Sequence, residues 1–115
     1  MAAAQYNISV EKGVDFSISM VLQRSNGDYV DLTNTGVCIK ANIVEFYGIP
    51  PVTGFTITEI LPSGVTLSLS EEGTLALPFD KCYYDVILNT SGVTERLIQG
   101  EITSSETATT NVQCP

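Results

Sequence analysis

Apolar and polar side chains alternate with a period of two along most of this chain. In Gln5–Val10, Tyr6, Ile8 and Val10 share one face and Asn7 and Ser9 the other, which predicts a half-buried strand. Glu11-Lys12-Gly13 then reads as a turn. Val14–Gln23 alternates most clearly, with Val14, Phe16, Ile18, Met20 and Leu22 set against Asp15, Ser17, Ser19 and Gln23; Val21 is the one apolar side chain on the polar face. Ser25-Asn26-Gly27-Asp28 holds an Asn-Gly pair, a tight-hairpin signal because both residues accept positive φ. A short strand Tyr29–Leu32 and a second turn, Thr33-Asn34-Thr35-Gly36, follow.

Val37–Phe46 places Val37, Ile39, Ala41 and Ile43 opposite Cys38, Lys40, Asn42 and Val44. Tyr47–Gly54, with two prolines and two glycines, predicts a loop that crosses between sheets. Phe55–Leu61 and Val65–Leu69 are strands joined by Pro62-Ser63-Gly64. Glu71–Lys81 has room for one helical turn ahead of Pro78. Cys82–Leu88 directs Tyr84, Val86 and Leu88 inward, and Asn89-Thr90-Ser91-Gly92 turns into a last strand, Val93–Thr103. Seven or eight strands with turn signals every eight to twelve residues predict an all-β fold, an antiparallel sandwich or small barrel, in one domain over 1–103. Ser104–Pro115 is polar and reads as a C-terminal arm.

Composition agrees with the pattern: Val, Ile and Thr supply 34 of 115 residues, and β-branched side chains suit a pleated, half-buried surface. Charge narrows the function. With 13 acidic and 5 basic residues the net charge is −8, which argues against nucleic acid and against anionic membranes as partners. There is no His, so the commonest general base and metal ligand is missing, and no Gly-x-Ser-x-Gly occurs; an enzyme is not expected. No apolar run is long enough to span a bilayer. The start, Met1-Ala2-Ala3-Ala4-Gln5, has neither the basic nor the apolar region of a secretion signal, so synthesis in a cytosol is expected.

The remaining candidates for chemistry read as structural. Cys38, Cys82 and Cys114 lack the close pairing of a zinc site and read as two strand hydrophobes and a tail residue. A Cys38–Cys82 bridge would need those strands to face each other across the sandwich, and cytosolic synthesis counts against it. Glu71-Glu72 reads as solvated, and Asp28 and Asp31 as turn residues that bond their own backbone. Asn89-Thr90-Ser91 fits a glycosylation pattern that is void without secretion. Neither a metal nor a cofactor is expected. Of Tyr83 and Tyr84, alternation sends one ring inward and one outward, and the outward ring is a candidate anchor for a partner protein or a sugar. Arg96, between apolar neighbours, predicts an ion pair with a carboxylate such as Asp85 on an adjacent strand.

Taken together, YNISVEKGVDFSISMVLQ, NGDYVDLTN, VTLSLS and YYDVILNTSGVTERLIQGEIT cover nearly all of Tyr6–Thr103. In that order they resemble a family of small immunoglobulin-like structural proteins of tailed bacteriophages, associated with tail, baseplate or fibre-attachment parts. The chain also looks similar to the N-terminal domains of baseplate adaptor proteins. The most specific pieces are Tyr84-Asp85-Val86 and Arg96-Leu97-Ile98-Gln99-Gly100, which match the closing hairpin of the family. The Pro50-Pro51 loop and the ending Asn111–Pro115 depart from its pattern. The resemblance implies an immunoglobulin-like β-sandwich in a virion assembled in host cytoplasm, acting by contacts with other virion proteins and with copies of itself. The candidate interface residues are Tyr6, Ile8 and Val10 on an edge strand, the outward Tyr83, and Val112 in the arm. Alternative readings are a carbohydrate-binding β-sandwich that recognises a host-surface glycan, and a capsid decoration protein.

Overall fold

The computed structural model describes residues 4–24, 26–33, 36–78 and 80–106. Nine strands and one short helix follow in chain order: β1 (Ala4–Gln5), β2 (Ile8–Lys12), β3 (Phe16–Val21), β4 (Val37–Val44), β5 (Thr53–Gly54), β6 (Thr56–Ile60), β7 (Gly64–Leu69), α1 (Glu71–Leu75), β8 (Lys81–Thr90) and β9 (Val93–Glu106). The larger sheet runs β1-β9-β8-β4-β5, with β2 also beside β9; the smaller runs β3-β7-β6. Their inner faces share one core of Ile8, Val10, Ile43, Val65, Leu67, Tyr84, Val86, Leu88 and Ile102, among others. The fold is thus all-β and sandwich-like.

β8 is the centre of the larger sheet. Cys82, Tyr84, Val86 and Leu88 point inward as the alternation predicts, and the strand is paired on both sides, to β4 from Tyr83 to Thr90 and to β9 over its whole length. In β9 the register slips between Val86 and Ile87, so that Ile98 faces Val86 while Arg96 faces Ile87. Leu97 is left unpaired by this bulge, and both Leu97 and Ile98 are buried, which strict alternation would forbid.

Several expectations are corrected. The sheets are not wholly antiparallel, because β1 and β2 run parallel to β9. The cause lies at the end of β2. Glu11 and Lys12 continue that strand instead of turning, and Gly13, at φ 84°, carries the chain into the other sheet, its N–H donating to Thr74 Oγ1. β2 therefore has no hairpin partner and pairs with the last strand. β1 and β2 are separated at Tyr6-Asn7, where the Asn7 side chain accepts from the Glu101 N–H. Tyr29–Leu32 is no strand beyond a bridge of Tyr29 to Gln23. Val30 and Leu32 plug the core instead, held by their N–H groups on Leu22 and Pro62 carbonyls. The loop after β4 returns to its own sheet as β5, and the crossing falls at Phe55. β9 runs on to Glu106 rather than stopping at Thr103. Ser104 is buried there, its hydroxyl donating to the Pro78 carbonyl and its N–H to that of Asp80. Residues 107–115 of the expected arm lie outside the described residues. Cys38 and Cys82 sit on neighbouring strands of one sheet, Cys38 outward and Cys82 inward, and both are free thiols.

The tightest junction surrounds Gly100. A Cβ there would overlap the Tyr6 carbonyl and press on the Tyr84 ring at 3.1 Å, while the Tyr84 hydroxyl donates to that same carbonyl at 2.6 Å. Gly100→Ala is expected to destabilise the fold by about 2–3 kcal/mol through displacement of the N-terminal strand. Tyr84→Phe, which only leaves the Tyr6 carbonyl without its donor, is expected to cost about 1–2 kcal/mol. Urea unfolding of the two variants checks both values and their order.

Candidate interaction surfaces

The interface residues that the sequence suggests fall in three different settings. Tyr6 is 48 % exposed, whereas Ile8 and Val10 are core side chains, so β2 offers a partner its open backbone edge and the side chains of Ser9 and Glu11, not the two expected apolar ones. Tyr83 points out from the larger sheet. Val112 lies outside the described residues.

Tyr83 belongs to a cluster on the outer face of β8 and β9. Its ring packs on that of Tyr47, 5.3 Å between centroids and tilted by 39°. The Arg96 guanidinium stands 5.5 Å over the Tyr47 ring and ion-pairs through Nε with Asp85 Oδ2 at 3.2 Å, the pair the sequence predicts. Its Nη1 donates to Gln99 Oε1. The Tyr47 hydroxyl donates to the Tyr84 carbonyl at 2.9 Å, and partial burial, then the nearby Asp85 carboxylate, raise its pKa. These contacts pin the loop after β4 against the sheet and present Phe46, Ile49 and Val52 to solvent. The same sheet face carries Lys40, Lys81 and Arg96, three of the five basic residues in the chain.

A second surface lies at the opposite end of the sandwich. Val21, Tyr29, Ile60 and Leu61, each at least half exposed, border one shallow apolar depression with Pro62 and Gly64. β3, β7 and β6 set Val21, Gly64 and Ile60 in one row across the outer face. The rows beside it are hydroxyl-bearing, Ser19-Thr66-Thr58 and Ser17-Ser68-Thr56, with Ser19 and Thr66 hydrogen-bonded at 2.9 Å. This face carries no charge. The one signal for it in the sequence is Val21, the apolar residue on an otherwise polar strand face; Ile60 and Leu61 read only as strand positions.

The remaining candidates take structural places. Glu71 and Glu72 form the first turn of α1, where negative charge suits the exposed N–H groups, and Ser70 caps that turn through Gly73 N–H. Asp28 accepts from the Asn26 amide, and Asp31 from Thr33. Arg24, in the loop after β3, reaches Glu95 of β9 at 2.9 Å. Among the described residues no three His, Cys, Asp or Glu side chains converge as metal ligands.

Burial pushes the Cys82 thiol up to about 11 and the Tyr84 phenol up to about 12. Both groups are neutral when folded, so the unfolded chain loses their protons first, and stability is expected to fall as pH rises from about 9, the ordinary value of a cysteine thiol, towards 12. Urea midpoints measured from neutral to alkaline pH check the sign, and Cys82→Ala should delay the onset. At neutral pH an alkylating reagent should modify Cys38 in the native chain and Cys82 only on unfolding, as read by peptide mass spectrometry.

Neither a family model nor a curated protein matches this sequence.

Proposed function

We propose that this chain is a structural component of a larger assembly, a tail, baseplate or fibre-attachment protein of a tailed bacteriophage that works by protein–protein contacts. The observation that carries the reading is the apolar end formed by Val21, Tyr29, Ile60 and Leu61, backed by an uncharged sheet face. In water such a patch is costly, and it becomes favourable once a partner covers it. The resemblance in Tyr6–Thr103 supplies the phage context. In this reading the sandwich is immunoglobulin-like: β3-β7-β6 take the places of the B, E and D strands and β4-β8-β9 those of C, F and G. The partners are other virion proteins and copies of the chain itself.

The carbohydrate-binding alternative needs an aromatic face turned to solvent. Tyr47 and Tyr83 turn rings towards each other, and Arg96 covers Tyr47, an arrangement that favours the structural reading.

An antibody against the chain, used on gradient-purified particles from the source culture with gold labelling, tests the proposal. Co-sedimentation with particles is the expected result, and the gold position separates tail from head. Protein confined to the soluble fraction would sink the proposal. Leu61→Asp is expected to reduce incorporation into particles at least about tenfold while leaving thermal unfolding within about 0.5 kcal/mol, since Leu61 is 59 % exposed.

A further inference from the structure

One flank of the sandwich is left open by both sheets. In the larger sheet β5 covers β4 only at Asn42 and Ile43, and the Phe55 N–H takes the Ala41 carbonyl, so the outer edge of Val37–Lys40 has no strand partner among the described residues. In the smaller sheet β6 is paired to β7 alone. Between the two edges runs a groove whose floor includes Ile39, Ala41, Phe55 and Ile57. Ala41 and Phe55 are buried, whereas Ile39 and Ile57 remain half-exposed core side chains. A strand laid along β4 would complete the ladder and close the core over those two isoleucines.

The chain carries a segment of the right chemistry. Residues 107–115, beyond the end of β9, contain none of the 18 charged residues. They also alternate: Ala108, Thr110, Val112 and Cys114 fall on one face, Thr107, Thr109, Asn111 and Gln113 on the other. Small apolar and β-branched side chains on one face suit a narrow apolar groove, and polar ones on the other suit water. With no charged side chain, the segment also adds no carboxylate to the contact between two −8 chains.

Reach decides whether the same copy can use it. β9 passes Lys81 at Thr103 and continues three residues to Glu106, while Lys40 faces Ile87, six residues along β8 in the other direction. At ~3.3 Å per residue and ~4.8 Å per strand, the end of β9 is therefore roughly 30 Å down and 10 Å across from Lys40. These nine residues extend to about 30 Å, so the span itself would use all of them and leave none to pair. A neighbouring copy is free of that restriction.

We propose that residues 107–115 of one copy add as a strand to the open edge of β4, Val37–Lys40, in the next copy, covering Ile39 and Ile57. The contact is head-to-tail, so it builds rings or filaments rather than closed pairs. This deepens the assembly reading and rests on it, naming the chain itself as partner.

The test uses the full chain and two substitutions in the segment, Val112→Asp and Thr110→Pro, by sedimentation velocity over a wide concentration range together with hydrogen exchange. The full chain is expected to form larger species as concentration rises, with exchange slowed selectively at Val37–Lys40. Both variants are expected to lose the larger species while unfolding at the wild-type temperature; Thr110→Pro shows that the loss does not come from added charge. Variants that associate like the parent would overturn the inference, as would exchange at Val37–Lys40 that is the same at low and high concentration. If this fails while the chain still co-sediments with particles, the strand exchange is wrong and the assembly role stands; protein absent from particles removes the role itself.

Discussion

Tyr84 sits fully buried in the middle of β8, and four parts of the chain close on it. Its ring meets Phe55, the residue at which the chain changes sheets, edge-on at 5.8 Å. Gly100 of β9 leaves the ring its space, and the hydroxyl donates to the carbonyl of Tyr6, anchoring the N-terminal strand. The Tyr84 backbone carbonyl takes the hydroxyl of Tyr47 and so ties down the loop on the outer face. A buried phenol must find an acceptor, and here that requirement sets the position of β1 relative to the sheet. The raised pKa follows from the same burial, which is why alkaline pH acts on the fold at its centre.

That centre explains the uneven periphery. The larger sheet is fastened on its β9 side by a parallel strand and on its β4 side by only two residues of β5. Among the described residues the smaller sheet has three strands and two bare edges. Cohesion is concentrated along β4, β8 and β9, and the rims are left with unpaired backbone and half-covered core. For a monomer such rims are a liability. For a component of an assembly they are attachment points, and the apolar end around Leu61 adds side-chain area to the backbone edges.

Charge acts alongside shape. A chain of −8 repels its own copies at a distance, so a close contact between copies is least costly where carboxylates are few. The outer face of β3, β7 and β6 is uncharged, and on the outer face of the larger sheet Arg96 and Lys81 neutralise Asp85 and Glu101. Packing of Tyr47 between Tyr83 and Arg96 stiffens that face and holds Phe46 and Ile49 outward at no cost to the core.

Period-two alternation alone determined which residues line the core of β8 and most of those in β4 and β7, because strand side chains must take opposite faces whatever lies beside them. Turn residues placed the turns at Asn26-Gly27 and Ser91-Gly92, where backbone conformation is a local property. Pairing was decided elsewhere. That β2 runs parallel to β9 depends on Gly13 handing the chain to the other sheet, and local preference cannot report a partner some ninety residues away. The bulge at Leu97, the burial of Ser104 and the plug formed by Val30 and Leu32 likewise answer to neighbours distant in sequence. Arg96 and Asp85 were legible as a pair, since opposite charges on adjacent strands attract; Tyr47 above them was not, because a loop carries no period. The apolar end was foreshadowed by Val21 alone. Its other members come from a turn and a separate strand, and only the stacking of two sheets brings them to one surface.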